Sequence, residues 1–597
     1  MTRRPRAWTP LVLGMVSALL IAACTGGAQP TSGPTGAPVV PTVGPTAGGT
    51  PSEESAPPGT DAPPTGTDAP PAGTAAYPEE PADCEAEGYT GEFKQIVAVD
   101  AMTVRFDLCF PDVAFLSKIA FSAFAIDDSA YLAAHMPDGS ILGHPNGTGP
   151  YMLDEWSRGN RMSLVAYDGY WGEEKALTPN LEFRWSAQAA QRLLELQAGT
   201  VHGIDNPGTD DFETIAADPN LAFYERPGLN TFYLGFNNTV EPFDDVNVRK
   251  AIALGIDRTR LVDSFYPPGS EVATHFTPCD IPFGCEGDPW FDFDPAAAKQ
   301  LLVDAGFPDG FTTKIQFRDA VRGYLPDPPT IAQELQAQLE QNLGITAELE
   351  LMDSGAFLDA NAAGTLDGIF LLGWGADYPD ATNFLDYHFG AGSGVKFGEP
   401  FQDIVDALSA AGQTPVEEER ASNYATANDL IAEHVPMALM AHGGSGTVFR
   451  ADVTGAHSSP LSTEIFSVMD VPDGDILVWM QNAEPLSLYC GDESDGETLR
   501  ACEQVKESLY AYTIGGVDVV PSLATECTPS EALDSWTCTL REGVTFHDGS
   551  TFEASDVIDS YALMWDAENP FHKGRSGAFE YFPGLFGGFL NPPPPAE

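Results

Sequence analysis

The sequence predicts a mixed α/β body behind a long linker, and three observations predict it. Strand-like and helical segments alternate between residues 312 and 374, the βαβ pattern of a parallel sheet. The chain has 597 residues, enough for roughly two or three domains with real cores. Residues 25–83, by contrast, are Pro, Gly, Thr, Ser and Ala with some Glu and Asp and no Lys or Arg. That composition buries too little apolar surface to fold, and it reads as a partly extended spacer.

Taken in order, the first element is a sorting signal. Arg3, Arg4 and Arg6 precede an apolar run over 11–23, which is too short to span a bilayer. The run ends in Leu20-Ile21-Ala22-Ala23-Cys24. Small residues before a cysteine resemble the bacterial lipoprotein box. The resemblance implies that 1–24 is a signal peptide and that Cys24 receives lipid and anchors the chain to a membrane. Lipid, spacer over 25–83, then folded body is the plan of an extracytoplasmic protein held near the membrane but off its surface.

The formal net charge is −59. Nucleic acid is excluded as a partner, because its phosphates would be repelled. Docking on anionic lipid through the protein surface is excluded for the same reason. The acid either solvates the surface or lines a cleft for cationic ligands. Eight cysteines follow Cys24: Cys84, Cys109, Cys279, Cys285, Cys490, Cys502, Cys527 and Cys538. An even number in an exported chain reads as disulfides, and the four neighbouring pairs suggest local bridges. No pair has C-x-x-C spacing and no histidine pair sits nearby, so neither a metal nor another cofactor is expected.

Within the body, 312–317 is strand-like, 330–343 has helical periodicity and stops at Gly344, and 347–352 and 368–373 are strand-like again. Asp294-Pro295-Ala296 opens a helix with a capping residue and a proline at its first position, and Gly306 ends it. A further helix runs from about 416 to 434.

Several motifs then carry a family resemblance. Gly147-Thr148-Gly149-Pro150-Tyr151 with Trp156 resembles the GTGPY signature of bacterial extracellular solute-binding proteins of the peptide/nickel type (family 5). Tyr233-Leu234-Gly235-Phe236-Asn237-Asn238, Pro242-Phe243-Asp244-Asp245, Val248-Arg249-Lys250-Ala251-Ile252 and Ile256-Asp257-Arg258 are similar to its next block. Gly373-Trp374-Gly375-Ala376-Asp377-Tyr378 is similar to its ligand-site strand. One block is out of order. Leu540-Arg541-Glu542-Gly543-Val544-Thr545-Phe546-His547-Asp548-Gly549, with Glu484-Pro485 and Pro521-Ser522-Leu523-Ala524 upstream, resembles the family's N-terminal part yet comes last. The body is therefore expected to be circularly permuted, with 475–590 moved behind the usual C-terminal part.

The resemblance implies a two-lobed periplasmic-binding-protein clamp of type II. Lobe I would comprise 84–238 and 445–597, and lobe II 239–444. The hinge crossings would fall just after Asn238 and near 441–446. It implies capture of short peptides for an ABC importer whose permease and ATPase subunits are separate chains, with the protein a monomer. A nickel chelate, a sugar, an opine or a peptide-sensing role are alternatives on the same fold. Neither a G-x-S-x-G elbow nor an H-E-x-x-H pair is present, so an enzyme is not expected.

For the ligand site, the resemblance places Asp377 on a peptide α-ammonium, with Trp374 and Tyr378 as flat walls. Arg322 is the candidate for the ligand carboxylate, because a guanidinium makes two parallel bonds to one; Arg318 competes for that role. Asp495, in an acidic stretch between Cys490 and Cys502, and Tyr233 and Asn237 on the hinge strand complete the candidates. Each also has a plainer reading, as a turn cap, a core aromatic or a surface ion pair.

Overall fold

The computed structural model describes residues 76–592, apart from 87, 173–174, 209–210, 319–321, 392 and 473 and the side chains of 354, 355 and 359. The expected signal peptide, Cys24 and the linker up to residue 75 lie outside the described residues. No described helix is long and apolar enough to cross a membrane.

Three sheets organise the body. A five-stranded antiparallel sheet runs in the order Ala76–Tyr77, Phe93–Asp100, Thr103–Leu108, Ser535–Leu540, Ala524–Pro529. Its aromatic core centres on Phe93, whose ring meets Phe106, Phe115, Tyr561, Trp565, Phe582 and Phe586. A seven-stranded sheet runs Tyr151–Ser157, Arg161–Ala166, Asn180–Trp185, Ile476–Gln481, Gly203–Asp205, Ser445–Arg450, Leu221–Arg226. Its central strand, Ile476–Gln481, lies parallel to both neighbours, although they precede it by nearly 300 residues.

The third sheet has six strands: Glu271–Val272, Met437–His442, Asn230–Gly235, Ile369–Gly375, Thr312–Arg318 and Thr346–Met352. The predicted parallel pairing is present here: Thr312–Arg318 lies parallel to Thr346–Met352 and to Ile369–Gly375. The apolar run of Ile369–Gly375 is explained by burial on both faces. Ile369 and Leu371 enter one core cluster, Phe370 and Leu372 the other. The helix boundaries follow local chemistry. Asp294 caps Pro295–Asp304 through the backbone N–H groups of Ala296 and Ala297, and Asp327 caps Pro328–Leu343 through that of Thr330. Gly344 ends the second helix at φ 71°, a left-handed conformation that costs glycine little. The last of the anticipated helices spans Glu417–His434.

The chain passes twice between the seven- and six-stranded sheets. One passage is 227–229, between Leu221–Arg226 and Asn230–Gly235; the other is 443–444, between Met437–His442 and Ser445–Arg450. The first lies earlier than the expected crossing after Asn238. The strand before Phe236 already pairs with Ile369–Gly375 and Met437–His442, so it belongs wholly to the six-stranded sheet. The two passages touch. A Cβ on Gly228 would meet the Gly443 carbonyl at 2.3 Å, an approach only glycine permits. The Asn230 side chain donates to Gly443 O at 2.7 Å and accepts from its N–H at 2.8 Å.

Four disulfides join Cys84 to Cys109, Cys279 to Cys285, Cys490 to Cys502 and Cys527 to Cys538. Each links cysteines that neighbour each other along the chain. Beside Cys279 and Cys285 stands buried His275, but both thiols are consumed by the bridge.

Candidate ligand-binding site

A cavity of about 720 Å³ opens where the two passages meet the C-terminal end of Ile369–Gly375. Its volume is in the usual small-ligand range of roughly 300–1,000 Å³. Both passages line it, as do Trp374, Asp377, Arg322, Arg318 and Tyr233. Gly373 admits Tyr324 to the same wall, since a Cβ there would lie 2.4 Å from the Tyr324 ring.

The order of this wall comes from Asn383, on helix Ala381–Phe389. Asp380 caps that helix by accepting from Thr382 N–H, which fixes where its first turn points. Asn383 Oδ1 accepts from Trp374 Nε1 at 3.1 Å and from the Asp377 backbone N–H at 3.0 Å. Its Nδ2 donates to Asp377 Oδ2 at 3.0 Å. One amide therefore orients both the indole and the carboxylate. Burial pushes the Asp377 carboxyl above its usual value, and the Asn383 bond only partly offsets this.

One turn further on, Tyr387 stacks on Trp374 with ring centroids 4.1 Å apart and planes at 24°. The Lys396 ammonium lies 3.9 Å from the Tyr387 centroid and donates to the Tyr387 carbonyl at 3.0 Å. Burial pushes Lys396 down to about 8. Behind this layer Tyr233 is buried with its phenol pushed well up by desolvation, and buried His388 is held neutral. Trp374, Asp377 and Tyr387 also face a second cavity of about 590 Å³, lined by Glu92, Asp112, Lys118 and Asp386.

Of the residues anticipated from sequence, Asp377, Trp374, Arg322, Arg318 and Tyr233 thus meet in one cavity. Tyr378 does not. It is buried against the second cavity, with Lys118 5.9 Å from its ring. Asn237 turns the chain instead, donating to Gly364 O and accepting from Thr239. Asp495 caps helix Gly496–Val505 by accepting from Thr498 N–H; a capping role is what an Asp followed by a helical run most often has. Sequence reasoning passed over Asn383, Tyr387, Lys396 and Asn230. The i, i+4 spacing of Asn383 and Tyr387 after a capping Asp was the available signal.

The model of the bacterial extracellular solute-binding proteins, family 5 middle, matches residues 58–395 and 518–580. The chain belongs to that family. This solute-binding protein is a carrier and not an enzyme, and its α/β sheets are those of a type II periplasmic binding protein. It is similar to the dipeptide-binding protein of Escherichia coli, 26% identical over 398 residues that cover 65% of this chain and 73% of that protein. It is also similar to heme-binding protein A of Haemophilus influenzae, 28% identical over 385 residues, 62% of this chain and 69% of that protein. Among solved structures it matches HbpA2 from Haemophilus parasuis, with a TM-score of 0.58 and 27% identity over 62% of this chain and 74% of that one.

Proposed function

We propose that this solute-binding protein captures short peptides outside the cytoplasmic membrane and delivers them to an ATP-driven permease. The observation that carries the reading is Asp377. It is a carboxylate oriented by Asn383 beside an aromatic stack, in a cavity that also holds Arg322 and Lys396. Opposite charges at separate points of one cavity suit a zwitterion. A buried ammonium needs such a partner, because its desolvation otherwise costs several kcal/mol or more. The dipeptide-binding relative agrees with this choice of ligand.

In this reading the body is a clamp whose lobes close over the ligand about 227–229 and 443–444, and the permease recognises the closed form. Lobe I holds the five- and seven-stranded sheets, lobe II the six-stranded sheet. Lipid on Cys24 tethers the clamp and residues 25–83 give it reach. The body is circularly permuted relative to the family. Two observations support this: residues 540–549 resemble a motif of the family's N-terminal part, and strand Ile476–Gln481 fills the middle of a sheet built otherwise from earlier strands.

The test is thermal unfolding of the full chain against di- to pentapeptides, with haem, nickel and sugars as controls. A ligand that binds only the folded form stabilises it by about 2.7 kcal/mol at a hundred times its Kd. Peptides should raise the midpoint, and Asp377→Ala should remove the rise. A midpoint moved by a control and by no peptide would overturn the peptide assignment and leave the clamp.

A further inference from the structure

Lys396 is a half-buried cation with an incomplete set of partners. It follows helix Ala381–Phe389 and lines the cavity beside Trp374 and Tyr387. An ammonium has three N–H donors. Among the described residues its one hydrogen bond is to the Tyr387 carbonyl, and no carboxylate lies within ion-pair distance. The charged and titratable groups that line the cavity with it come from five elements. Tyr387 and His388 belong to the preceding helix, Tyr233 to strand Asn230–Gly235, Asp377 to the turn after Ile369–Gly375, Arg318, Arg322 and Tyr324 to the end and the sequel of Thr312–Arg318, and Arg226, paired with Asp205 and Glu464, to the end of Leu221–Arg226. His388 is held neutral by burial, and Tyr233 and Tyr387 are pushed up by it. Among the described residues Asp377 is the one carboxylate of the cavity lining, and the peptide reading commits it to the ligand's ammonium.

We propose that Lys396 is a specificity-determining residue that receives a carboxylate of the ligand, so that the cavity selects peptides with an acidic side chain over their amide counterparts. This rests on the peptide reading above. A carboxylate supplies the counter-charge that Lys396 lacks among the described residues, and it accepts the N–H groups left over from Tyr387. An amide oxygen of the same shape accepts the bond but leaves the charge uncompensated. The Tyr387 ring holds the ammonium from one face and is itself held by Trp374, so the cation is placed before ligand arrives.

The test compares Ala-Glu with Ala-Gln by titration calorimetry on the full chain at pH 7.0 and pH 9.5, for the native protein, Lys396→Met and Lys396→Arg. The ratio of the two affinities cancels the titration of the peptide ammonium, which both ligands share. The native protein should prefer Ala-Glu by about tenfold at pH 7.0. The preference should shrink toward one at pH 9.5, because burial lets Lys396 lose its proton near pH 8. Lys396→Met should show no preference between the two peptides at either pH, whatever its absolute affinity for Ala-Gln. Lys396→Arg should keep it at both, since a guanidinium does not titrate there. Equal affinities in the native protein, a preference surviving in Lys396→Met, or one that vanishes at pH 9.5 in Lys396→Arg would each overturn the assignment. Binding of neither peptide would overturn the peptide reading along with it.

Discussion

Replacing Asn383 by Ala would remove one acceptor shared by the Trp374 indole and the Asp377 backbone, and the donor that holds the Asp377 carboxylate. The groups left behind are half-buried, so each loses a bond that water replaces poorly. Peptide affinity should fall by roughly tenfold or more, read by calorimetry, while the far-ultraviolet circular dichroism is unchanged. Unchanged affinity would mean that the Trp374–Tyr387 stack alone orders the wall. Lys396 gives a second expectation, this time for the ligand-free protein. Its folded value, about 8, lies below the ordinary lysine value of about 10.4. Between these the unfolded chain binds more protons, so stability falls as the pH is lowered. Below about 8 the penalty is complete, and above about 10.4 it is absent. Lys396→Met should therefore stabilise the empty protein by about 1–3 kcal/mol at pH 7 and by nothing at pH 10.5, measured by urea unfolding. The site was legible in sequence as far as its strand end, where Trp374 and Asp377 stand in one motif. Tyr378 was misplaced because its neighbour's role says nothing about which of two adjoining cavities a side chain enters. The spacing of Asn383 and Tyr387 marks one helix face, but the direction of that face depends on the angle of the helix, which no local pattern encodes, and Lys396 lies beyond the helix end with no such signal.

Elements are held by a buried network at the edge of the site. Arg226 and Arg500 both pair with Asp205 and Glu464, at 2.6 to 3.0 Å, and all four are buried. Arg226 ends the strand that leads into the first passage, so the network fixes the point from which the passage departs. Burial alone would raise the Glu464 carboxyl, yet Arg226 and Arg500 outweigh it and hold it at about 2. Its contribution is thus present above about pH 4.5 and lost only as the pH falls through about 2. Glu464→Gln leaves two guanidinium groups short of one charge and should cost about 3–5 kcal/mol at pH 7; a loss under 1 kcal/mol in denaturant unfolding would show that Asp205 suffices. The elements with their own stop signals, such as Pro328–Leu343 with Asp327 and Gly344, were legible from sequence alone. The five-stranded sheet was not, because Ser535–Leu540 meets Thr103–Leu108 across more than 400 residues and only its motifs, not its pattern, hinted at that meeting.

The whole molecule is set by its acid. Burial raises Asp386, Glu503, Glu507 and Asp556 to about 7 each, against about 4 in an unfolded chain. Between those values the folded form binds more protons, so stability falls as the pH rises. The net charge of −59 adds self-repulsion of the same sign. The thermal midpoint should be higher at pH 5 than at pH 8, and 1 M salt should narrow the gap by screening the repulsive part. A midpoint at pH 8 equal to that at pH 5 would contradict this account.

Strand Ile476–Gln481 carries a consequence for biogenesis. A chain is made from its N-terminus, so Asn180–Trp185 and Gly203–Asp205 emerge long before the strand that belongs between them. Until residue 481 is available, both keep an open edge of backbone donors and acceptors. Such edges template pairing with other chains. A nonsense mutation upstream of 476 would release a chain with a slot one strand wide, and the strand that fills it would have to come from another copy.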